Sequence, residues 1–287
     1  VSTYLPSTRA DSGDPGPAWS IPRLREPRYS QSLERGLAIL ACFTPSRPVR
    51  GIADIADELD MSRSTTHRYV ITLLALGYLE QGASRKYRLG LRVTDLGMSA
   101  INATGLREHA RPHLEELRRG TSFTTNISVL DGTEILCVDR ARSFRRGLTD
   151  AERRLEPGSR DPAHATSIGK LLMAHLPEEE QRDLLARMTP AKVGPNTITA
   201  KRVLKRELDR VHDAGLAVSN EELSSELLCV AAPVRNANGE VAAGINIEAR
   251  RTMISLEEMV DGLGPQLIAA ADRISARLGY RRDDQGG

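Results

Sequence analysis

The sequence predicts an α+β protein in two parts, on three observations. Three short helical stripes are followed by a small polar-turned hairpin within residues 30–90. One helical stretch from Val93 to about Arg119 then separates that region from the rest. Beyond it the apolar period changes from 3.6 to 2 at two hairpins interleaved with further helices, as an α+β domain requires.

Residues 1–29 hold five of the fifteen prolines, with Gly, Ser, Asp and Arg around them. Such a stretch buries too little to offset its ordering entropy and reads as a disordered tail. The first helix begins near Ser30, with Leu33, Leu37, Leu40 and Ala41 on one stripe. Glu34 in its first turn suits the helix dipole, and Pro45 and Pro48 end it. A second helix at 52–59 carries Ile52, Ile55, Ala56 and Leu59 inward. Asp60-Met61-Ser62 breaks the chain, and Ser62 is a good N-cap for a third helix from Arg63 to about Leu76, closed by Gly77. Tyr78-Leu79-Glu80, a Gly82-Ala83-Ser84 turn and Lys86-Tyr87-Arg88-Leu89 make a two-stranded wing.

Gly105 and Pro112 break or bend the Val93–Arg119 stretch into two helices, the first a linker at 91–105. The second domain, 106–280, contains a hairpin turning at Asp131-Gly132 and another turning at Asn236-Ala237-Asn238-Gly239. Helices are expected near 166–175, 178–188, 200–214 and 256–278, before a polar tail at 281–287.

Composition removes several functions. The net charge is +2, so any basic patch must be local, and 3% aromatics argues against binding single strands by stacking. Cys42, Cys137 and Cys229 are odd in number and far apart, which opposes a disulfide framework or zinc ribbon and fits a reducing cytoplasm. There is no apolar leader or membrane-length apolar run. Lys170 after Gly169 lacks phosphate-loop spacing, and His164 with Cys229 lacks a metal-ligand spacing. No cofactor and no membrane are expected.

Two helices, a short turn and a third helix form a helix-turn-helix, whose last helix enters the major groove of double-stranded DNA. With Val70, Leu73 and Leu74 inward, Ser64, Thr65, Arg68 and Thr72 face out, where hydroxyls reach phosphates or base edges and an arginine can fork onto guanine. Arg63 and His67 flank that face and serve the DNA backbone, Thr66 joins the DNA-binding set, and Arg85, Lys86 and Arg88 place three cations on the wing, where they meet phosphates or a minor groove. The alternative is a packing unit with a solvated polar face.

Ser32-Leu33-Glu34-Arg35-Gly36-Leu37, Ser64-Thr65-Thr66-His67-Arg68 and Lys86-Tyr87-Arg88-Leu89-Gly90 resemble the IclR family of bacterial regulators. In the second domain His164-Ala165-Thr166-Ser167-Ile168-Gly169-Lys170 and Cys229-Val230-Ala231-Ala232-Pro233-Val234 extend the resemblance over roughly 30–280. Met253-Ile254-Ser255 and Leu278-Gly279-Tyr280 make it most similar to regulators of aromatic-acid breakdown by the β-ketoadipate pathway.

The resemblance implies a GAF-like sensing domain, a small organic-acid effector and a homodimer or dimer of dimers formed through the DNA-binding domain and linker. It implies that the amides of Ser167 and Ile168 hold the effector's carboxylate. Cys229 occupies the family's pocket cysteine. Asn246 and Glu248 stand where one branch has small hydroxyl residues, and Ser219 where it has an acid, departures that point away from a small 2-oxo acid. His164, Arg140 and Arg142 are further polar candidates. For His164 a structural hydrogen bond, and for Cys229 plain core packing, are equally good readings. The rival from another class is an enzyme with Cys229 as nucleophile and His164 as base; another is a purely architectural DNA binder.

Overall fold

The computed structural model describes residues 30–44, 46–82, 84–144 and 156–281, in two compact units that divide between Ala100 and Ile101. The tail read at 1–29 and most of that at 281–287 lie outside the described residues.

In the first unit, α1 is Gln31–Ala41, α2 is Ile52–Glu58 and α3 is Arg63–Ala75. Ser30 and Ser62 cap α1 and α3 by accepting the amides of Leu33 and Thr65, and the Asp54 carboxylate takes the Gly51 N–H at the start of α2. The wing pairs β1 (Leu79–Gln81) with β2 (Tyr87–Leu89). A third, rudimentary strand is added where Arg50 and Tyr87 exchange both backbone hydrogen bonds. The core is Ile39, Cys42, Phe43, Ile55, Val70, Leu79 and Tyr87.

Arg50 is buried inside this unit. Its guanidinium donates to the carbonyls of Cys42 and Asp54 and pairs with Glu58 at 2.7 Å, pinning the connection between α1 and α2. The helical stripe of α1 departs from expectation. Ile39 is its buried residue, whereas Leu33 and Leu37 are 64% and 55% exposed. A last helix, α4, is Arg92–Asn102.

The second unit opens with α5, Leu106–Thr121, started by Gly105 in the left-handed region. The expected division into two helices falls at Gly105, and Pro112 lies inside α5 without interrupting it. The strands are β3 (Thr124–Asp131), β4 (Glu134–Ala141), β5 (Arg160–Pro162), β6 (Ala217–Asn220), β7 (Leu227–Arg235) and β8 (Val241–Arg250). They form one antiparallel sheet in the order β5-β4-β3-β8-β7-β6. The remaining helices are α6 (Ser167–Ala174), α7 (Glu178–Arg187), α8 (Lys201–Ala214) and α9 (Gly264–Arg277), the last preceded by a π-helical stretch at Glu258–Leu263.

Strand alternation gives the sheet two different faces. Ile127, Val138, Val230, Ile245 and Ile247 pack with Leu114 of α5 and Leu267 and Ile274 of α9. On the other face Ile135 and Ala231 pack with Ile168 and Leu171 of α6 and with Leu204 and Leu208 of α8. Each of the buried Val, Leu and Ile side chains contributes about 1.5–3 kcal/mol. All eight residues of α6 are buried. Two glycines let it lie so deep: a Cβ on Gly169 would stand 2.1 Å from the Ala163 carbonyl oxygen, and one on Gly244 of β8 would stand 2.9 Å from Cγ2 of Ile168.

Candidate functional site

Two sites follow from this scaffold, one in each unit. In the first, α3 presents Arg63, Ser64, His67, Arg68 and Thr72 to solvent, with Thr65 half-buried. Ser64, Thr65, His67, Arg68, Ile71 and Thr72 line one open groove of about 440 Å³. Thr66 is corrected: it is fully buried, and its hydroxyl donates to the Ser62 carbonyl at 3.1 Å, so it packs inside the unit and does not face DNA. Thr72 donates to the Arg68 carbonyl, which leaves its oxygen lone pairs facing out. Ile71, 43% exposed in this face, is absent from the set read from sequence. The sign was its position one residue out of phase with Val70, Leu73 and Leu74.

On the wing, Arg85 and Lys86 are exposed near the turn. Arg88 is exposed as well, and its Nε and a terminal nitrogen both meet Glu80 across the strand pair, at 3.0 and 2.7 Å, in a solvent-exposed ion pair.

The second site lies on the α6 face of the sheet, where polar side chains replace aliphatic ones. Register aligns Arg140, Asn126, Asn246 and Ala231 in one row, and Thr124, Glu248, Cys229 and Ser219 in the next. Arg140 and Glu248 form a buried ion pair at 3.2 Å, with side chains 1% and 8% exposed. Asn126 Nδ2 donates to Glu248 Oε1 at 2.8 Å and Asn246 Nδ2 reaches the same oxygen at 3.4 Å. Arg142, by contrast, pairs with Glu156 near the surface.

Helix α6 begins over this polar face. Thr166 caps it by accepting the Gly169 amide at 3.0 Å. Ser167 and Ile168 hold the first two helical positions, whose amides have no acceptor within the helix. The Ser167 hydroxyl is buried with no hydrogen-bond partner. Oriented amides, the helix dipole and a buried hydroxyl are together suited to an anion such as a carboxylate.

The other expected residues have structural engagements. Ser219 donates to the Ala165 carbonyl at 3.3 Å, tying β6 to the turn before α6. His164 is buried; burial pushes its pKa below the ordinary histidine value, so the ring is neutral at pH 7. Its Nε2 then donates to the Ala191 carbonyl at 2.9 Å. Cys229 is 5% exposed and packs with Leu227 and Leu223. Asn126 and Ser128 were not singled out from sequence, although a polar residue at every second place of a strand buried on both faces was the available sign. Among the described residues no group of three or more His, Cys, Asp or Glu is placed to hold a metal ion, and no helix is long and apolar enough to cross a membrane.

Comparison with known proteins agrees with both units. Residues 32–83 match the IclR helix-turn-helix domain, and residues 98–276 match the bacterial transcriptional regulator IclR C-terminal domain. The chain is 32% identical to the HTH-type transcriptional regulator XynR of Escherichia coli, over 87% of this chain and 98% of that one. It is 31% identical to the p-hydroxybenzoate hydroxylase transcriptional activator of Acinetobacter baylyi, over 89% and 94%. Among solved structures, a transcriptional regulator of Rhodococcus sp. RHA1 superposes with a TM-score of 0.76 at 36% identity, covering 87% of this chain and 98% of that one. An IclR homolog of Microbacterium hydrocarbonoxydans complexed with 4-hydroxybenzoate gives 0.75 at 28%, covering 86% and 98%. These matches displace the enzyme reading: with a DNA-binding domain and a sensing domain each matched along its length, the chain belongs to the IclR family of transcriptional regulators.

Proposed function

We propose that this regulator responds to a small organic carboxylate held at the start of α6, and that it controls genes of aromatic-acid breakdown. The observation that carries the effector reading is the buried first turn of α6, where two amides without helical acceptors and the partnerless Ser167 hydroxyl face a polar patch. The aromatic reading is supported by likeness to the Acinetobacter baylyi activator and to the homolog complexed with 4-hydroxybenzoate. Arg63, Ser64, Thr65, His67, Arg68, Ile71 and Thr72 are the proposed operator contacts, with Arg85 and Lys86 on phosphates.

Two half-sites are read by a homodimer or a dimer of dimers, in the cytoplasm. Leu33 and Leu37, one turn apart on α1, and Leu96 on α4 are exposed in the single chain, an apolar surface fit for self-association. Effector binding then shifts the population between forms that do and do not hold the operator.

The test is a thermal-shift screen of the full chain against β-ketoadipate, protocatechuate, 4-hydroxybenzoate, catechol, muconate and simple 2-oxo acids. A saturable shift with an aromatic acid supports both parts. A shift with a 2-oxo acid alone retains the carboxylate site and removes the aromatic assignment; no shift with any of them removes the aromatic assignment too.

A further inference from the structure

The polar face under α6 has an asymmetry that constrains the far end of the effector. Glu248 is paired with Arg140 and carries only acceptors, so both neighbouring amides must turn their nitrogens towards it. For Asn126 that leaves Oδ1 facing Ser128 Oγ at 3.5 Å. For Asn246 it leaves Oδ1 buried without any donor. Flipping the Asn246 amide would set its oxygen against a carboxylate, so Glu248 fixes the orientation. Asn246 is 5% exposed, and a buried carbonyl with no donor calls for a bound partner.

Its position relative to α6 is set by register. Gly244, two residues before Asn246 on the same face of β8, lies directly against Ile168. Glu248, two residues after it, is aligned through Cys229 with Ser219, whose hydroxyl touches the Ala165 carbonyl just before α6. Asn246 is therefore the β8 side chain between those two levels, facing the first turn of the helix.

We propose that the effector is a monocarboxylate carrying a hydroxyl at its far end, and that this hydroxyl donates to Oδ1 of Asn246. The inference rests on the carboxylate reading of α6 above. Charge balance gives the other half of the selectivity. Arg140 already neutralises Glu248, so a second carboxylate delivered here would be buried beside an acceptor carbonyl and an ionised carboxylate. Of the screened compounds, the site selects 4-hydroxybenzoate and protocatechuate and rejects β-ketoadipate and muconate. Asn246 is thus a residue that determines specificity.

The test is titration calorimetry on the full chain with matched probes: 4-hydroxybenzoate, benzoate and terephthalate, then 4-hydroxybutyrate, butyrate and succinate. The hydroxylated member of one set should bind at least about tenfold more tightly than its deoxy partner and its dicarboxylate, because an unpaired buried acceptor penalises a ligand lacking the donor. Asn246→Leu should erase that gap by weakening the hydroxy acid and relieving the penalty on its deoxy partner. The wild-type comparison stands by itself should this variant not fold. Equal binding of a hydroxy acid and its deoxy partner overturns the role of Asn246 and leaves the carboxylate site intact, with only a water on that carbonyl. Preferred binding of a dicarboxylate, or a gap that persists in Asn246→Leu, also overturns it. Failure of every monocarboxylate to bind overturns the α6 site and this inference together.

Discussion

Replacing Lys170 by Met should destabilise the second unit strongly, in a way that depends on pH. The Lys170 side chain is 1% exposed and reaches Glu222 at 2.5 Å and Glu207 at 3.2 Å. Glu207 has a second partner, since Arg210 meets it at 2.9 and 2.8 Å. Glu222 keeps only a backbone hydrogen bond from Asn220 and the charge of Arg210 beyond contact; its Oε2 is buried without a hydrogen bond, and burial already raises its pKa against the pull of Lys170. The loss therefore falls mainly on the buried Glu222 carboxylate, left without its ion-pair partner, which costs about 3–5 kcal/mol. For a unit of this size, about 2–4 °C is lost per kcal/mol, so the midpoint should drop by roughly 6–20 °C at pH 8.

Removing the cation raises the folded-state pKa of Glu222 further above its ordinary value of 4.5. The neutral carboxyl is then the form that fits. The penalty is absent below the unfolded-state pKa and grows as pH rises through the folded-state value. Differential scanning calorimetry at pH 5 and pH 8 reads both effects. Lys170→Met should lose more of its stability at pH 8, and adding Glu222→Gln should recover much of the loss. A midpoint within 2 °C of wild type at both pH values would refute the reasoning, as would a deficit independent of pH.

Arg68→Ala should relax preference at one operator position and cost about 1–3 kcal/mol in specific binding; a footprinting selection that returns the same consensus removes Arg68 from the base-reading set. Arg85→Ala with Lys86→Ala should lower the salt dependence of operator binding by about two phosphate contacts, one per residue. Arg88→Ala should change it less, because that guanidinium must leave its exposed pair with Glu80 to meet a phosphate; equal slopes would undo this distinction. Cys42 and Cys137, their thiols pushed up by burial to about 11 and about 12, and buried Cys229 should alkylate with iodoacetamide at pH 8 only on unfolding. Rapid labelling of Cys229 in the native chain would reopen a chemical role for it.

The helix-turn-helix was legible because its signals are local: Ser62 as cap, Gly77 as stop, and Val70 with Leu73 and Leu74 as an inward stripe. Both hairpins were legible from Asp131-Gly132 and Asn236–Gly239 for the same reason. What escaped depended on partners distant in sequence. Strands β5 and β6, at three and four residues, are too short to show a period and exist only by pairing with β4 and β7. Leu33 and Leu37 fit a helical stripe perfectly well, yet burial selected Ile39 beside them. Local chemistry lets Pro112 either break or bend a helix; the packing of Leu106, Ala110, Leu114 and Leu117 against the sheet carries the helix through it. At the effector face, the residue types were visible, but the pairing of Arg140 with Glu248 joins positions 108 apart. Only the fold could show that these two satisfy each other and leave Asn246 wanting.

The strand order has a consequence for how the molecule is made. The centre of the sheet joins β3 to β8, and the Asn126–Glu248 hydrogen bond across it spans 122 residues. Contacts of such long sequence separation are slow to close and form only once both partners exist. The DNA-reading unit, whose contacts lie within the first hundred residues, can fold while the ribosome is still working on the rest. The sensing unit cannot complete its sheet until synthesis has passed Arg250, so the reader is finished well before its sensor.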